Sequence, residues 1–308
     1  MNAPIPLVSV ILLSYNRPQY LVSAIESTLA QTWPNLEFIV VDNRSEASTE
    51  IASIVERYTT VKLIAHQTNL GFAGGMNTGL AAAQGEYVYF TEDDIVLDPN
   101  CVRTLVDHFH GRARIGLVGP IMLNHGRGTI RCAGGTFDLK GVYRMTVFGV
   151  DEAPEVHSLE PYDVMFLPGS MIMARRSLLR DLGCFRDDFF MYCEDVELCA
   201  RVLKNGFSIA IVPNARVSHY EPQQGNAPHL EFHKLKNLAA AYFLHAPISV
   251  LPTFVFRYGV LGALRTLARG GFDVHAHAWT WTLLHVPWLL ADRLKARKSQ
   301  RRWHGPAA

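Results

Sequence analysis

The sequence predicts an α/β fold: a Rossmann-like, mostly parallel sheet flanked by helices, with a helical extension at the C-terminal end. Three observations predict it. Apolar runs of strand length alternate with helix-length periodic segments from Leu7 to Met122. Polar and acidic clusters follow two of those runs without a spacer, at Asp42-Asn43 and at Glu92-Asp93-Asp94. From about Phe243 the chain turns helical and aromatic. Alternation of this kind puts parallel strands in one sheet with helices on both faces.

The elements follow in order. Leu7 to Leu13 is a continuous apolar run between Pro6 and Ser14-Tyr15-Asn16-Arg17-Pro18, which reads as a buried strand and a loop. Leu21, Ala24, Ile25, Thr28 and Leu29 then recur at helical spacing until Pro34. Phe38 to Val41 is a second buried strand; a helix from Thr49 to Tyr58 and a strand from Val61 to Ala65 come next. Asn69 to Gly75 opens an alanine-rich helix running to Ala83, and Gly85 stops it. The strand Tyr87 to Phe90 runs into the acidic triplet. Ligands of such sheets sit beyond the carboxyl ends of the strands, which is where Asp42 and Glu92 to Asp94 fall.

After Ile115 to Met122 the rhythm breaks. Residues 124–162 are glycine-rich and alternating, and an irregular β insertion is expected there. Apolar character resumes from Val164 to Ala174 around Pro168-Gly169-Ser170. A helix from Glu194 to Asn205 leads to a strand from Phe207 to Val212. The division expected is a transferase-sized unit over 1–245 and an amphipathic helical region over 246–308. In the tail, Arg257, Arg265, Arg269, His275, His277 and His285 interrupt the apolar runs, so none is expected to reach the about 20 residues of a membrane-spanning helix. Trp279, Trp281, Trp288 and the basic residues from Arg293 to Arg302 suit a helix lying in a membrane interface; a hairpin packed on the main domain suits the same pattern.

Composition narrows the function classes. A chain that is 49% hydrophobic and 19% charged supports a sizeable core and excludes general disorder. A formal net charge of +1 gives no overall attraction to nucleic acid. The 5 cysteines form no C-x-x-C pair, which argues against a disulfide framework and for a reducing compartment. The N-terminal residues carry no basic segment of the signal-peptide kind, so the expected location is the cytoplasm, with contact to the inner membrane surface if the tail is interfacial.

Chemistry can be read at four places. Glu92 and Asp94 are two apart on an extended segment and point the same way. Converging carboxylates resist joint ionisation unless a cation compensates, and a hard divalent metal with donor phosphates would do so. Acids capping the helix that starts near Pro99 are the alternative. Glu194 and Asp195 abut Phe189-Phe190-Met191-Tyr192, and a carboxylate desolvated there would have the raised pKa of a general base. Decoration of a helix first turn is again the alternative. His219, in Val217-Ser218-His219-Tyr220 beyond the last strand, could ligate a metal as neutral imidazole or be structural. Asn69 to Gly75 could offer backbone N–H groups to phosphate at a helix N-terminus, although it has neither the dinucleotide fingerprint nor a P-loop lysine.

Together the segments VSVILLSYNRPQYL, FIVVDNRS, NLGFAGGMNTGLAAAQGEYVYFTEDDIVLDP and GCFRDDFFMYCEDVELCARV, followed by VPNARVSHYE, resemble the inverting, GT-A-fold glycosyltransferases of family two. The likeness is to the bacterial rhamnosyltransferase-like branch and covers about residues 6–245. The resemblance implies that Ser14, Tyr15, Asn16, Arg17, Asp42 and Asn43 hold the nucleotide of a UDP- or dTDP-sugar donor. Asn69 and Asn77 would line the donor pocket. Glu92, Asp93 and Asp94 would form the D-x-D-type motif, with Asp94 bridging Mn²⁺ or Mg²⁺ to the diphosphate. Asp195 would be the catalytic base, Glu194 its supporting neighbour and His219 a further metal contact. The acceptor it implies is a hydroxyl of a cell-surface polysaccharide or lipid-linked saccharide. Two positions depart from the family pattern: Glu92 stands where aspartate or asparagine is more usual, and Asn43 replaces a second aspartate. The competing readings are a sugar nucleotidyltransferase, for which SYNRPQY lacks a basic glycine-rich loop, and a catalytically silent protein that binds nucleotide or polysaccharide.

Overall fold

A computed structural model describes residues 4–140, 143–156, 160–220, 228–268 and 272–300. Met1 to Ala3 and the basic residues Arg301 and Arg302 therefore lie outside the described residues. In chain order the strands and helices begin with β1 (Val8–Ser14), α1 (Pro18–Leu29), β2 (Leu36–Asp42), α2 (Ser48–Val55), β3 (Val61–Ala65), α3 (Gly71–Ala82), β4 (Tyr87–Glu92), β5 (Ile95–Leu97) and α4 (Cys101–Phe109). They continue with β6 (Ile115–Asn124), β7 (Ile130–Cys132), β8 (Gly135–Asp138), β9 (Arg144–Val147), β10 (Tyr162–Val164), β11 (Met173–Arg175), α5 (Arg176–Leu182), α6 (Glu194–Lys204) and β12 (Ser208–His219). The helices α7 (Pro228–His245), α8 (Leu251–Phe254), α9 (Gly262–Ala268) and α10 (Phe272–Gln300) complete the fold, with Val255–Leu261 wound as π-helix between α8 and α9.

One sheet runs in the order β10-β12-β6-β11-β4-β1-β2-β3, with β5 added to β12 and β7 to β6. The block β3-β2-β1-β4 is parallel, as is the pair β6 and β12; the antiparallel β11 joins the two. β1 is buried along its whole length, and Val10, Ile11 and Leu12 are fully inaccessible, as expected of a parallel strand covered on both faces. The register pairs Ser14 with Asp42 and Leu13 with Glu92. The carboxyl ends of β2, β1 and β4 therefore stop at one level, and their polar residues share one edge of the sheet.

The helix α3 lies against this edge because its face is nearly bare. A Cβ on Gly79 would collide with Cγ2 of Ile11, and one on Gly75 with a methyl of Leu13. Its glycines thus let backbone pack directly on β1. At the other end of the fold α6 is anchored by the buried Glu197. Arg201 pairs with Glu197 and donates to the carbonyls of Leu182 and Cys184 at 2.8 and 2.7 Å, and His245 of α7 lies 3.0 Å from the same carboxylate. Burial would raise the Glu197 pKa, but Arg201 and His245 hold it well below the usual carboxylate range.

Two expectations are corrected. The last strand does not stop at Val212: β12 continues to His219 through a register shift between Ile211 and Arg216, where Pro213 and Asn214 are accommodated. A proline at a bulge costs no ladder hydrogen bond, so it does not end the strand. His219 is therefore a strand residue. The tail does contain a stretch long and apolar enough to cross a membrane, Ile248–Leu267, because its two arginines do not offset the aliphatic and aromatic residues around them. The tail tryptophans also make contacts within the protein, while Trp288 remains 40% exposed. Trp279 meets Phe254 at 5.8 Å between ring centroids, Trp281 covers the Lys236 ammonium at 4.5 Å, and Trp288 lies over the Arg186 guanidinium at 4.9 Å. α10 packs along α7, where Ala240, Phe243, Leu244 and Leu289 enclose Phe189.

Gly79→Ala tests the close packing of α3 on β1. The added methyl has only Ile11 to displace, so destabilisation of about 1–3 kcal/mol is expected, measured by denaturant or thermal unfolding.

Candidate active site

The site is built from the carboxyl ends of β1 and β4. Beyond Ser14 the chain turns through Asn16, held at φ +57°, and reaches Arg17. Beyond Glu92 the tight turn Asp93-Asp94 leads into β5. Arg17 sits between the two turns: its guanidinium lies 3.6 Å from Glu92 and 3.1 Å from Asp93, and donates to Asp94 Oδ2. One cation thus faces three carboxylates.

The three are not equivalent. Asp93 is fully buried; its Oδ2 accepts from Ser14 Oγ at 2.8 Å and from the Tyr15 N–H at 3.1 Å. Through these bonds it holds the Ser14–Arg17 turn. Burial pushes Asp93 up to about 7 against the pull of Arg17. Burial, then the charge of Asp94, also pushes Glu92 up to about 7, with Arg17 and the Ser170 hydroxyl acting the other way. Asp94 Oδ1 is buried without a hydrogen-bond partner and faces His219 Nε2 at 3.7 Å. Burial lowers the His219 pKa, so its imidazole is favoured in the neutral, ligating form.

Other residues of the predicted set are spent on loop architecture. Asp42 accepts from the Ser45 N–H at 3.0 Å and from the Ser48 hydroxyl. Asn43 donates to Asn69 Oδ1 and to the Gly71 carbonyl, both at 2.9 Å, and accepts from the Leu70 N–H at 3.0 Å. Asn16 Oδ1 accepts from the Glu46 N–H at 2.7 Å. The Asn77 amide is held by Phe185 at 2.7 and 3.1 Å and by Asp187 at 2.6 Å. A short polar side chain beside a turn readily closes that turn, and sequence alone does not say which ones do.

A cavity of about 250 Å³ opens where these turns meet. Tyr15, Arg17, Asn43, Asn69 and Glu92 line it together with Phe72, Phe190 and Met191. Larger cavities of about 610 and 750 Å³ lie against the far half of α6, away from the acidic turn. The smaller one is the chemically equipped one. Gly71 makes its wall possible: with φ +71° and a Cβ position that would strike the Phe190 carbonyl, only glycine fits.

Glu194 and Asp195 begin α6, where the chain enters through Cys193 in the left-handed region at φ 63°. Asp195 Oδ1 accepts from the Val196 N–H at 2.8 Å. Burial pushes Asp195 up to about 6, while N–H groups of Val196 and Gly169 pull the other way. Glu194 Oε2 is buried without a hydrogen-bond partner among the described residues, and burial followed by the Asp195 charge raises its pKa well above the ordinary value. The turn Gly169–Met171 joins the two acidic groups, since the Gly169 N–H serves Asp195 and the Ser170 hydroxyl serves Glu92. Sequence reasoning noted Pro168-Gly169-Ser170 only as a break in an apolar run.

The donor set fits a hard divalent cation. Asp94 Oδ1 is unpaired, His219 faces it, and the surrounding carboxylates outnumber Arg17. Among the described residues no group of three or more His, Cys, Asp or Glu could hold a metal by itself, so a diphosphate and water would have to supply the remaining positions.

Comparison with known proteins decides the family. The model of glycosyl transferase family 2 matches residues 9–183, more than half of the chain and including β1, the acidic turn and α3. The protein belongs to glycosyl transferase family 2.

Within this family the chain is 30% identical over 185 residues to a pre-mycofactocin glycosyltransferase of Mycobacterium tuberculosis, covering 60% of this chain and 37% of that one. The chain thus spans well under half the length of that relative. It is 27% identical over 263 residues to the N-acetylglucosaminyl-diphospho-decaprenol L-rhamnosyltransferase of the same organism, covering 76% of this chain and 82% of the relative. Among solved structures it is similar to GalNAc-T7 with UDP, GalNAc and Mn²⁺ (TM-score 0.64, 18% identity, 79% of this chain and 48% of that one). It is also similar to the mannosyltransferase PcManGT of Pyrobaculum calidifontis with GDP-Man and Mn²⁺ (TM-score 0.55, 18% identity, 98% and 76%). The fold is that of the GT-A glycosyltransferases.

A base role for the Asp195 carboxyl would set the pH dependence of transfer. Its pKa near 6 means that the proton-accepting form is lost as pH falls through that value. The transfer rate at saturating donor should therefore drop about tenfold per unit below that pH. A pH–rate profile with its acid limb near the unperturbed value of about 3.9 would contradict the assignment.

Proposed function

We propose that this protein is a metal-dependent, inverting glycosyltransferase that uses a UDP- or dTDP-sugar and a membrane-associated saccharide acceptor. The observation that carries the reading is the acidic turn, where the unpaired Asp94 oxygen faces His219, and the Gly169–Met171 turn, which links Glu92 to the half-buried Asp195. When bound, Mn²⁺ or Mg²⁺ would neutralise charge developing on the leaving diphosphate. Asp94 and His219 would hold it. Arg17 offsets the charge of Glu92 and Asp93, keeping the acidic turn compact before donor binds. Tyr15 and Asn69 face the donor in the cavity. Asp195 accepts the proton of the acceptor hydroxyl as that oxygen attacks the anomeric carbon from the side opposite the diphosphate. Glu194, held at a raised pKa, keeps the second acidic position beside it from adding a full negative charge. A single displacement of this kind inverts the anomeric centre.

The division proposed is a transferase unit over 1–245 and a helical region over 246–308 that rests on a membrane surface at the cytoplasmic side. The named rhamnosyltransferase relative, whose acceptor is a polyprenyl diphosphate sugar by its name, supports a lipid-linked acceptor. The apolar residues left bare support it too. Phe256, Val260, Leu264 and Leu267 recur at helical spacing and are 55%, 49%, 59% and 60% exposed, with the exposed Arg257 and Arg265 beside them. The inner face of the same stretch is spent on protein, where Phe254 stacks on Tyr242 at 3.9 Å. A helix with one face so committed lies along a bilayer rather than through it.

Two outcomes are expected. Asp195→Asn should lower transfer by at least about 10²-fold with donor binding retained, measured by product formation and nucleotide-sugar titration; near-normal turnover would overturn the base assignment. The double variant Phe256→Ser, Leu264→Ser should lose sedimentation with anionic vesicles, whereas truncation after Pro287 should not abolish it. Unchanged vesicle binding of the double variant would refute the interfacial face.

A further inference from the structure

The segment between Arg186 and Asp195 is under conformational strain. Phe190, Tyr192 and Cys193 all have positive φ, at 63°, 68° and 63°, and none is glycine. Non-glycine residues persist in that region only where the surroundings over-determine them. Part of the surroundings is the pocket itself: the Phe190 carbonyl accepts from the Ala73 N–H at 3.1 Å across the Gly71 gap. The rest comes from a single side chain on α7. Asn237, fully buried, directs Nδ2 at the carbonyls of Phe189, Met191 and Tyr192 at 2.8, 2.9 and 2.7 Å. Its two N–H groups are shared among three acceptors. The amide oxygen is held in turn: Lys236 Nζ donates to Asn237 Oδ1 and to the Asp188 carbonyl, both at 2.6 Å. The Lys236 ammonium is itself capped by Trp281 of α10.

We propose that Asn237 is the positioning residue of the catalytic loop, fixing the strained 189–193 backbone so that one segment both walls the donor cavity and delivers Asp195 to it. The inference rests on the transferase reading only for what the loop delivers. Five consecutive carbonyls, from Asp188 to Tyr192, with that of Phe190 turned to α3, are each assigned to a fixed donor. A hydrophobic pin could hold the loop near α7, but only a donor of this geometry turns three carbonyls inward at once and enforces the left-handed residues between them. Lys236 and Trp281 extend the hold to α10, so the helical extension supports the catalytic loop from behind.

The test uses the full chain, Asn237→Ala and Asn237→Ser, with Lys236→Met as a milder variant that keeps the aliphatic stem under Trp281. Cysteine alkylation followed by mass spectrometry reads the loop directly, because Cys193 is part of it and Cys101, Cys132, Cys184 and Cys199 are buried elsewhere. In the Asn237 variants Cys193 should react about tenfold faster while the other four stay protected, as local opening predicts. The maximal transfer rate should fall by about 10²-fold with one nucleotide still bound per chain, the cost of a displaced catalytic group. Lys236→Met should show both effects in smaller measure. Unchanged Cys193 reactivity overturns the proposal. So does a parallel rise at all five cysteines, which would make Asn237 a determinant of global stability alone. Were the wild-type chain to show no transfer, the transferase reading would fail, while Cys193 labelling would still decide whether Asn237 holds the loop.

Discussion

Three carboxylates placed at the end of one buried strand repel each other, and burial adds to the cost of charging them. This constraint organises the site. Asp93 meets it by accepting hydrogen bonds from Ser14 and Tyr15, Glu92 by contact with Arg17 and Ser170, and both are pushed up to about 7 nonetheless. Asp94 keeps an oxygen unpaired toward His219. An unpaired buried acceptor costs stability that a well-folded protein seldom gives away without use. On the proposed reading, a cation arriving with a diphosphate would relieve that cost.

The acceptor side answers a different constraint. In the proposed base role, Asp195 must be desolvated enough to take up a proton readily, yet open to a hydroxyl. The chain enters α6 through the left-handed Cys193, with Phe189 kept in the core. The backbone strain of that entry is carried by α7 and, behind it, α10. On the proposed reading, the helices after residue 228 bear on catalysis as well as on any membrane contact.

Much of this was legible in the sequence. The parallel strands, the acidic turn after β4, the start of α6 and the family resemblance all follow from apolar runs meeting polar clusters. What could not be read were assignments settled by distant contacts. Asn43 and Asn77, expected to meet the donor, also bond to backbone at Gly71 and Phe185. Arg17, expected to hold the nucleotide, also meets three carboxylates brought from 75 or more residues away. Asn237 carried no local signal, since its partners are 45 to 48 residues distant. Pro213 reads as a strand end because a bulge leaves no mark in composition.

The central claim is that the acidic turn is a metal-assisted diphosphate site. Calorimetric titration of UDP and dTDP into the wild-type protein, with Mn²⁺ and then with EDTA, tests it most directly. At a hundredfold over its dissociation constant a ligand adds about 2.7 kcal/mol to stability, so a thermal shift on the same samples should report the same binding. The account predicts binding of at least one nucleotide that requires Mn²⁺ and disappears in Asp94→Ala. Equal affinity with and without the metal, unaffected by Asp94→Ala, would contradict it.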